Sequence, residues 1–164
     1  MALNLLNLSA LERKFAVDDL LARYARCIDD DQLEHWPSFF TERARYIVRS
    51  QENASRGLPT AAMYCDSRAM LVDRVVALRN ANIYESHRYR HFISCTVLED
   101  ITAEALTAVS NYVVFRTRTN GATDIFSAGG YRDRIVMDGG SLRFAEKLVT
   151  FDTDRIDTLL VTPL

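Results

Sequence analysis

The sequence predicts an α+β fold in which about three helices cover one face of a cone-shaped, curved and mostly antiparallel sheet. Two observations lead to this prediction. Apolar residues recur with helical spacing over the first half of the chain, and near His91 the spacing changes to two. Short connections with turn residues join the segments of the second half, which is typical of an antiparallel meander. We expect the interior of the cone to be apolar.

The first predicted helix begins at Ser9, which forms a capping-box pattern with Glu12. Its buried face is marked by apolar side chains at intervals of three and four: Val17, Leu20, Leu21, Tyr24 and Ile28. The acidic residues 29–31 end this helix. We expect Asp31 to cap a second, shorter helix with Glu34 at its third position. That helix directs its large side chains into the core: Leu33, Trp36, Phe39 and Phe40.

The middle of the chain predicts a strand, a loop and a third helix. Residues 43–50 alternate charged and apolar side chains, as a half-buried strand does. Residues 51–59 contain a glycine and a proline and are expected to form a loop. A third helix is expected over residues 67–82, starting at Asp66 or Ser67. Its predicted buried face consists of Met70, Leu71, Val75 and Leu78.

The second half of the chain predicts four consecutive strands rich in β-branched and aromatic residues: residues 91–100, 105–119, 123–137 and 141–152. Asn120-Gly121 and Asp138-Gly139-Gly140 are hairpin signals. Gly129-Gly130 lies inside a strand and predicts a bulge where the sheet bends. Residues 159–164 are mostly apolar, so we expect them to dock on the sheet or on a partner.

Composition limits the class of protein. We expect residues 1–164 to form one domain. The 20 basic and 22 acidic residues nearly balance, which excludes a strongly basic nucleic-acid binder. No apolar run reaches the roughly 18 residues of a membrane span, and the N-terminus lacks the features of a secretion signal. Cys27, Cys65 and Cys95 are spaced for neither a zinc site nor a disulfide framework. We therefore expect a cytoplasmic protein with reduced, buried thiols.

The basic residues are unusual because all but Lys14 and Lys147 are arginines. Arginine forms planar, bidentate ion pairs and is enriched in protein–protein interfaces. A high genomic GC content would produce the same bias, so the sequence leaves both explanations open.

Residues 84–92 form the densest polar cluster. On a helix His87 and His91 would share a face and could bind a metal ion. In an extended segment they would lie about 13 Å apart, too far for one ion. We therefore predict that these histidines and the arginines between them hydrogen-bond the backbone or a neighbouring chain.

Two further clusters have structural explanations. Asp29, Asp30 and Asp31 with His35 could form an acid/base cluster, but the same aspartates end one helix and start the next. The aromatic side chains of the second helix are assigned to the core rather than to a ligand cage. No phosphate-binding loop or nucleophile motif is present. From the residues alone we predict no catalytic, cofactor-binding or metal-ligating residue in this chain.

Three separated segments resemble the small (beta) subunits of aromatic-ring-hydroxylating dioxygenases. They are LEHWPSFF at residues 33–40, the segment 73–91 ending in LRNANIYESHRYRH, and DTLLVTPL at residues 157–164. The likeness extends over nearly the whole chain from about Leu20. It is closest to oxygenases of aromatic acids, namely the terephthalate, salicylate, anthranilate and benzoate types.

The resemblance implies a cone like those of nuclear transport factor and ketosteroid isomerase. It also implies a structural, non-catalytic subunit of an NADH-dependent ring-hydroxylating oxygenase. The expected partner is a large (alpha) subunit that carries a Rieske [2Fe–2S] cluster and a mononuclear Fe(II). The expected assembly is an α3β3 hexamer on a trimeric base of small subunits, contacted by a reductase or ferredoxin. This chain has no CxH or CxxH motif and cannot hold either iron centre. Its arginine-rich strands and residues 84–91 suit subunit interfaces.

A rival hypothesis is a self-contained isomerase or dehydratase built on the same cone. Its pocket would hold Tyr24, Asp30 and His91. The two hypotheses predict different behaviour, because such an enzyme would work alone whereas a small subunit would need its large partner.

Overall fold

The computed structural model describes residues 4–81, 84–153 and 160–164 and is built on one curved, six-stranded sheet. The strands are β1 Phe40–Ser50, β2 Met63–Cys65, β3 His87–Glu99, β4 Ala105–Arg118, β5 Thr123–Asp138 and β6 Ser141–Phe151. Their order across the sheet is β2-β1-β6-β5-β4-β3. Every neighbouring pair is antiparallel except β1 and β6, which run parallel. The predicted meander of four consecutive C-terminal strands is therefore confirmed.

The helical elements of the described residues precede or interrupt the strands. They are a 3-10 turn Leu5–Asn7, α1 Ala10–Asp29, a 3-10 helix Leu33–Phe39, α2 Gln51–Ser55 and α3 Arg68–Asn80. Helix α1 packs on β3, while α3 packs on β1 and on the 3-10 helix Leu33–Phe39. The concave face of the sheet is thus covered by helices, as the sequence predicts, and the core lies between the two layers.

Helix α1 forms as its sequence signals require. Ser9 Oγ accepts a hydrogen bond from the Glu12 main-chain N–H, and the Glu12 carboxylate accepts one from the Ser9 N–H. All the apolar positions predicted for its inner face are buried. The predicted cap of α3 is also found, with Ser67 Oγ accepting from the Met70 N–H.

The prediction that Asp31 caps a second α-helix is wrong. Residues 33–39 form a 3-10 helix preceded by Gln32, which makes no side-chain cap. Asp31 adopts a left-handed backbone conformation at φ 56°. Both oxygens of its carboxylate instead accept hydrogen bonds from Arg79 at 2.9 Å, and Arg79 also binds Glu34. Asp31 therefore ties the turn after α1 to the end of α3, which local sequence does not reveal.

Two other predictions differ from the structure, and one short strand was not predicted. Residues 51–55, expected in a loop, form the short helix α2, whose N-cap is Ser50. The strand β2 was not predicted because three residues are too few to display a period of two. Met70, expected on the buried face of α3, is 38% exposed.

The strand β3 begins at His87, four residues earlier than predicted, so both His87 and His91 lie on an extended strand.

The predicted bulge at Gly129-Gly130 is wrong, because pairing with both neighbours is regular there. The irregularities fall opposite Val114–Phe115 and at Arg134–Ile135. Gly129 is needed because a Cβ at that position would lie 2.0 Å from the Thr150 carbonyl oxygen.

The tail docks as predicted over residues 160–164, while residues 154–159 lie outside the described part of the chain. Leu160, Val161 and Leu164 are all buried.

The thiols of Cys27 and Cys65 are buried and free, and burial raises the pKa of Cys27 to about 11. Cys95 is exposed, which corrects the prediction that all three thiols are buried.

Candidate functional site

The interior of the cone holds a buried ion pair. Asp133 on β5 and Lys147 on β6 are directly opposite in the antiparallel register, and both side chains are completely buried. Lys147 Nζ donates to both carboxylate oxygens, at 3.0 and 3.3 Å. Burial raises the pKa of Asp133 to about 6 and lowers the pKa of Lys147, and in each case the opposite charge of the partner limits the shift. The expectation of a purely apolar interior is therefore wrong at this pair.

Aromatic rings enclose the ammonium group of Lys147. Its Nζ lies 3.5 Å from the centroid of the Tyr131 ring, 4.7 Å from that of Tyr24 and 4.9 Å from that of Phe144. The negative faces of these rings stabilise the buried cation. Tyr131 in turn stacks on Tyr112 with ring centroids 4.4 Å apart. The centre of the cone is thus filled by side chains that contact one another.

Leu164 closes the same interior. Tyr24 Oη donates to the Leu164 main-chain oxygen at 2.7 Å, and Tyr46 Oη lies 3.1 Å from that oxygen. The Leu164 N–H donates to Tyr46 Oη at 2.9 Å. Burial raises the pKa of both tyrosines, so their hydroxyls stay neutral at physiological pH. The space that a ligand would occupy at these two hydroxyls is taken by the chain itself.

A second buried pair joins α1 to the edge strand of the sheet. The Asp29 carboxylate accepts hydrogen bonds from the His91 main-chain N–H at 2.9 and 3.2 Å, and it lies 2.6 Å from His91 Nδ1. Both side chains are almost fully buried. His91 Nε2 has no hydrogen-bond partner among the described residues. Because β3 is the last strand of the sheet, this pair satisfies a main-chain donor that no further strand covers.

The structure separates the residues that the rival hypothesis places in one pocket. Tyr24 and His91 are buried, but Asp30 is exposed at the end of α1. The carboxylate that meets His91 is Asp29. A groove of about 530 Å³ lies between α1 and β3 and includes Asp29 and His91 in its wall, yet Tyr24 lies outside it, at the filled centre of the cone.

The structure also shows where the acidic cluster and the aromatic cluster predicted from the sequence lie. Asp29, Asp31 and His35 do not come together, since Asp29 turns inward, Asp31 binds Arg79 and His35 is exposed. The rings of the 3-10 helix and of β1 pack edge to face in the core, with Trp36 and Phe40 centroids 5.6 Å apart. The assignment of these aromatic residues to the core is confirmed.

The residues that the structure describes do not fit an iron centre. His87 Nδ1 lies 2.8 Å from the Glu85 carbonyl oxygen, and His91 is held by Asp29. Within residues 4–81, 84–153 and 160–164, no three side chains of His, Cys, Asp or Glu are grouped as metal ligands. In the same residues, no helix is long and apolar enough to cross a membrane.

Sequence reasoning missed both buried pairs, although a signal for one of them exists. Asp133 lies between Tyr131 and Ile135 with a spacing of two, and Lys147 lies two residues before Val149, so each charge occupies an inward position of its strand. A lone charge at an inward position on each of two adjacent strands predicts a buried pair. The Asp29–His91 pair had no such signal, because its members are 62 residues apart.

Comparison with known proteins decides the family. Residues 23–158 match the family described as the ring hydroxylating beta subunit. The chain belongs to this family. It is 43% identical to the small subunit of anthranilate 1,2-dioxygenase of Burkholderia cepacia, over 92% of this chain and 93% of the relative. It is 39% identical to a beta subunit of the terminal oxygenase component of terephthalate 1,2-dioxygenase of a Comamonas species, over 87% and 93% of the two chains.

A solved structure supports the same assignment to the ring-hydroxylating beta subunits. It is a protein of Novosphingobium aromaticivorans assigned as the beta subunit of an aromatic-ring-hydroxylating dioxygenase. Its sequence is 46% identical, the TM-score is 0.87, and the match covers 94% of this chain and 99% of that one. The resemblance drawn from the three sequence segments is therefore confirmed, including its aromatic-acid type.

Proposed function

We propose that this beta subunit is a structural component of a ring-hydroxylating oxygenase that acts on an aromatic carboxylic acid, and that it contributes no catalytic residue. Residues 1–164 act as one domain in the cytoplasm. The Rieske [2Fe–2S] cluster and the mononuclear Fe(II) belong to a large alpha subunit. Three copies of each subunit form an α3β3 hexamer on a trimeric base of beta subunits, and electrons come from NADH through a reductase or ferredoxin.

The observation that carries this proposal is the filled interior of the cone. A small-molecule enzyme on such a scaffold needs a pocket with convergent polar groups. Here the Asp133–Lys147 pair is enclosed by aromatic rings, and the hydroxyls of Tyr24 and Tyr46 are bonded to Leu164. With these four side chains engaged by its own residues, the chain suits assembly rather than turnover.

The relatives support the substrate class and the partner. Their names associate them with dioxygenases of anthranilate and terephthalate, both aromatic carboxylic acids, and describe them as small or beta subunits. A beta subunit implies an alpha-subunit partner, and the absence of CxH and CxxH motifs from this sequence supports the proposal that this partner carries the Rieske ligands.

Co-expression with the large subunit tests the proposal. The two chains should co-purify as an iron-containing complex that hydroxylates an aromatic acid when NADH and a reductase are supplied. His91→Ala and Asp29→Asn should leave the iron content and the turnover per large subunit unchanged in the complex that assembles. A fall in turnover per iron, with assembly intact, would assign a catalytic role to the Asp29–His91 pair and overturn the proposal.

A further inference from the structure

The outer face of the sheet, turned away from the helices, is rich in arginine. Alternation along the strands places these arginines on it: Arg43, Arg45 and Arg49 of β1, Arg88 and Arg90 of β3, and Arg132 and Arg134 of β5. Three carboxylates pair with these arginines: Glu146 with Arg45, and Glu99 and Asp100 with Arg132. The other arginines of this face form no ion pair within the described residues. Because the whole chain has a net charge of −2, the rest of the molecule is net negative.

Apolar side chains lie between these arginines. The register aligns one row across all six strands: Tyr64, Ile47, Leu148, Arg132, Val109 and Val97. A second group near the β3 edge contains Phe92, whose ring contacts Phe115 at a centroid distance of 5.6 Å, and Ile125 opposite Phe115. Phe92 is 56% and Ile125 64% exposed. An apolar centre flanked by arginine and aromatic residues is the composition of a protein–protein interface.

Helix α3 carries a second exposed apolar surface. Its inner face is buried through Leu71, Val75 and Leu78. Its outer face carries a stripe with helical spacing: Ala69, Val72, Asp73 and Val76. Val72 is 46% and Val76 53% exposed. A helix that is apolar on two faces needs a partner on the second one.

Four charged residues lie in or beside this stripe, and both cations are engaged: Arg68 forms an ion pair with Glu42, and Arg74 donates a hydrogen bond to the Leu160 main-chain oxygen. Asp73 lies within it and Asp66 lies just before the helix, and both are exposed. Neither carboxylate forms an ion pair with a described residue. The α3 stripe, defined here as residues 66–76, is therefore an apolar surface with unpaired negative charge, while the outer sheet face is an apolar surface with unpaired positive charge.

We propose that the outer sheet face of one copy of this chain docks on the α3 stripe of a second copy. The two surfaces lie on different sides of the molecule, because α3 covers the concave face of the sheet. They cannot neutralise each other within one chain. Two outer sheet faces would bring arginine against arginine, which disfavours a face-to-face dimer.

A contact between two different surfaces is heterologous, and it closes into a ring when the rotation between copies permits. This inference rests on the proposed function, to which it adds the surfaces that build the base of small subunits. It predicts a closed oligomer of the beta subunit alone, of one defined mass, that weakens as salt screens the charges.

Charge reversal tests the contact. Arg43→Glu with Arg134→Glu, or Asp66→Arg with Asp73→Arg, should each weaken self-association of the isolated chain by about tenfold or more, because like charges then face each other. The chain carrying all four substitutions should regain the oligomer, since its two surfaces are again complementary. Arg23→Glu with Arg56→Glu is the matched control, because these exposed arginines lie on neither surface. Sedimentation velocity measures the mass, and circular dichroism checks the fold.

The results separate this inference from the proposed function. Loss in both double variants with recovery in the fourfold variant supports the contact. A fourfold variant that stays dissociated, although folded, would overturn it. A parent chain that is monomeric at all concentrations yet co-purifies with the large subunit would also overturn it, while leaving the proposed function intact. A parent that forms the predicted ring but binds no iron-containing large subunit would instead contradict the proposed function.

Discussion

At the scale of single residues, the Asp133–Lys147 pair contributes to the dependence of stability on pH. Burial raises the pKa of Asp133 from its ordinary value of 3.8 to about 6, so the folded chain binds this proton more tightly than the unfolded chain does. The contribution of Asp133 to the free energy of unfolding is therefore fully present below pH 3.8 and is lost as the pH rises through about 6. The ammonium of Lys147 limits this loss.

Removing the ammonium group of Lys147 should make the dependence of stability on pH measurable. Lys147→Met leaves the Asp133 carboxylate buried without a counter-charge and should lower the free energy of unfolding by about 3–5 kcal/mol at neutral pH. The loss should be smaller at pH 5, where the carboxyl group is protonated. Urea denaturation at pH 5 and pH 8 measures the difference.

The matched control replaces both charges. Asp133→Leu combined with Lys147→Met leaves no buried charge and should recover most of the lost stability at pH 8. An equal loss at both pH values in Lys147→Met, or no recovery in the double variant, would contradict a coupled buried pair.

Individual residues were predictable where their role is local. The Ser9 and Ser67 caps follow from neighbours three residues away, and both are found. Asp29, Asp30 and Asp31 are chemically identical, so their sequence could not indicate which one meets His91. That choice depends on the direction of the last turn of α1 toward β3, which only the tertiary structure determines.

At the scale of the elements, Gly129 allows β5 and β6 to pack closely, because it has no Cβ. A Cβ there would lie 2.0 Å from the Thr150 oxygen and 2.9 Å from the Phe151 Cα, both main-chain atoms that cannot rotate away. Gly129→Ala should therefore lower the free energy of unfolding by about 3 kcal/mol. Gly130→Ala is the control, because its Cβ would meet only the Ser110 oxygen, at 3.6 Å. It should change stability by less than about 1 kcal/mol. Equal denaturation midpoints for the two variants would contradict this account.

The tail is a second element with a measurable effect. Truncation after Asp157 removes the buried Leu160, Val161 and Leu164, and it removes the main-chain partners of Tyr24 and Tyr46. Each buried side chain contributes about 1.5–3 kcal/mol, partly offset by the entropy of ordering the tail. The net loss should be about 3 kcal/mol or more by chemical denaturation.

The tail also offers a control. Thr162→Ala changes a half-buried position and should alter the free energy of unfolding by about 0.5 kcal/mol or less. A truncated chain that unfolds at the same denaturant concentration as the parent would mean that the tail makes no net contribution to the fold.

Elements were predictable in proportion to their length. Helix α1 and the long strands β4 to β6 repeat their period several times, so their existence and order follow from the sequence. The short elements α2 and β2 complete at most about one period, and they form because Ser50 caps α2 and β1 pairs with β2. The start of β3 at His87 was missed because polar side chains dominate residues 84–90.

At the scale of the whole molecule, the sequence predicts the cone and the family but not what fills the cone. Residues on β5 and β6 and at position 164 converge there only after folding, so no motif records their arrangement. The filled interior connects the fold to the proposed function. Because no space for a substrate is left at the centre of the cone, the proposed role depends on the outer surfaces, through which the chain binds other subunits. The parts of the proposal beyond the family, namely the hexamer and the electron donor, are tested on the assembled complex.

The central claim is that this beta subunit holds no active site, and iron analysis with turnover of the isolated chain tests it most directly. The purified chain should be colourless, contain no stoichiometric iron and transform no aromatic acid, with or without NADH and a reductase. The same preparation combined with the large subunit should support hydroxylation. Stoichiometric iron in the isolated chain, or its conversion of a small molecule without any partner, would contradict the claim and favour a self-contained enzyme.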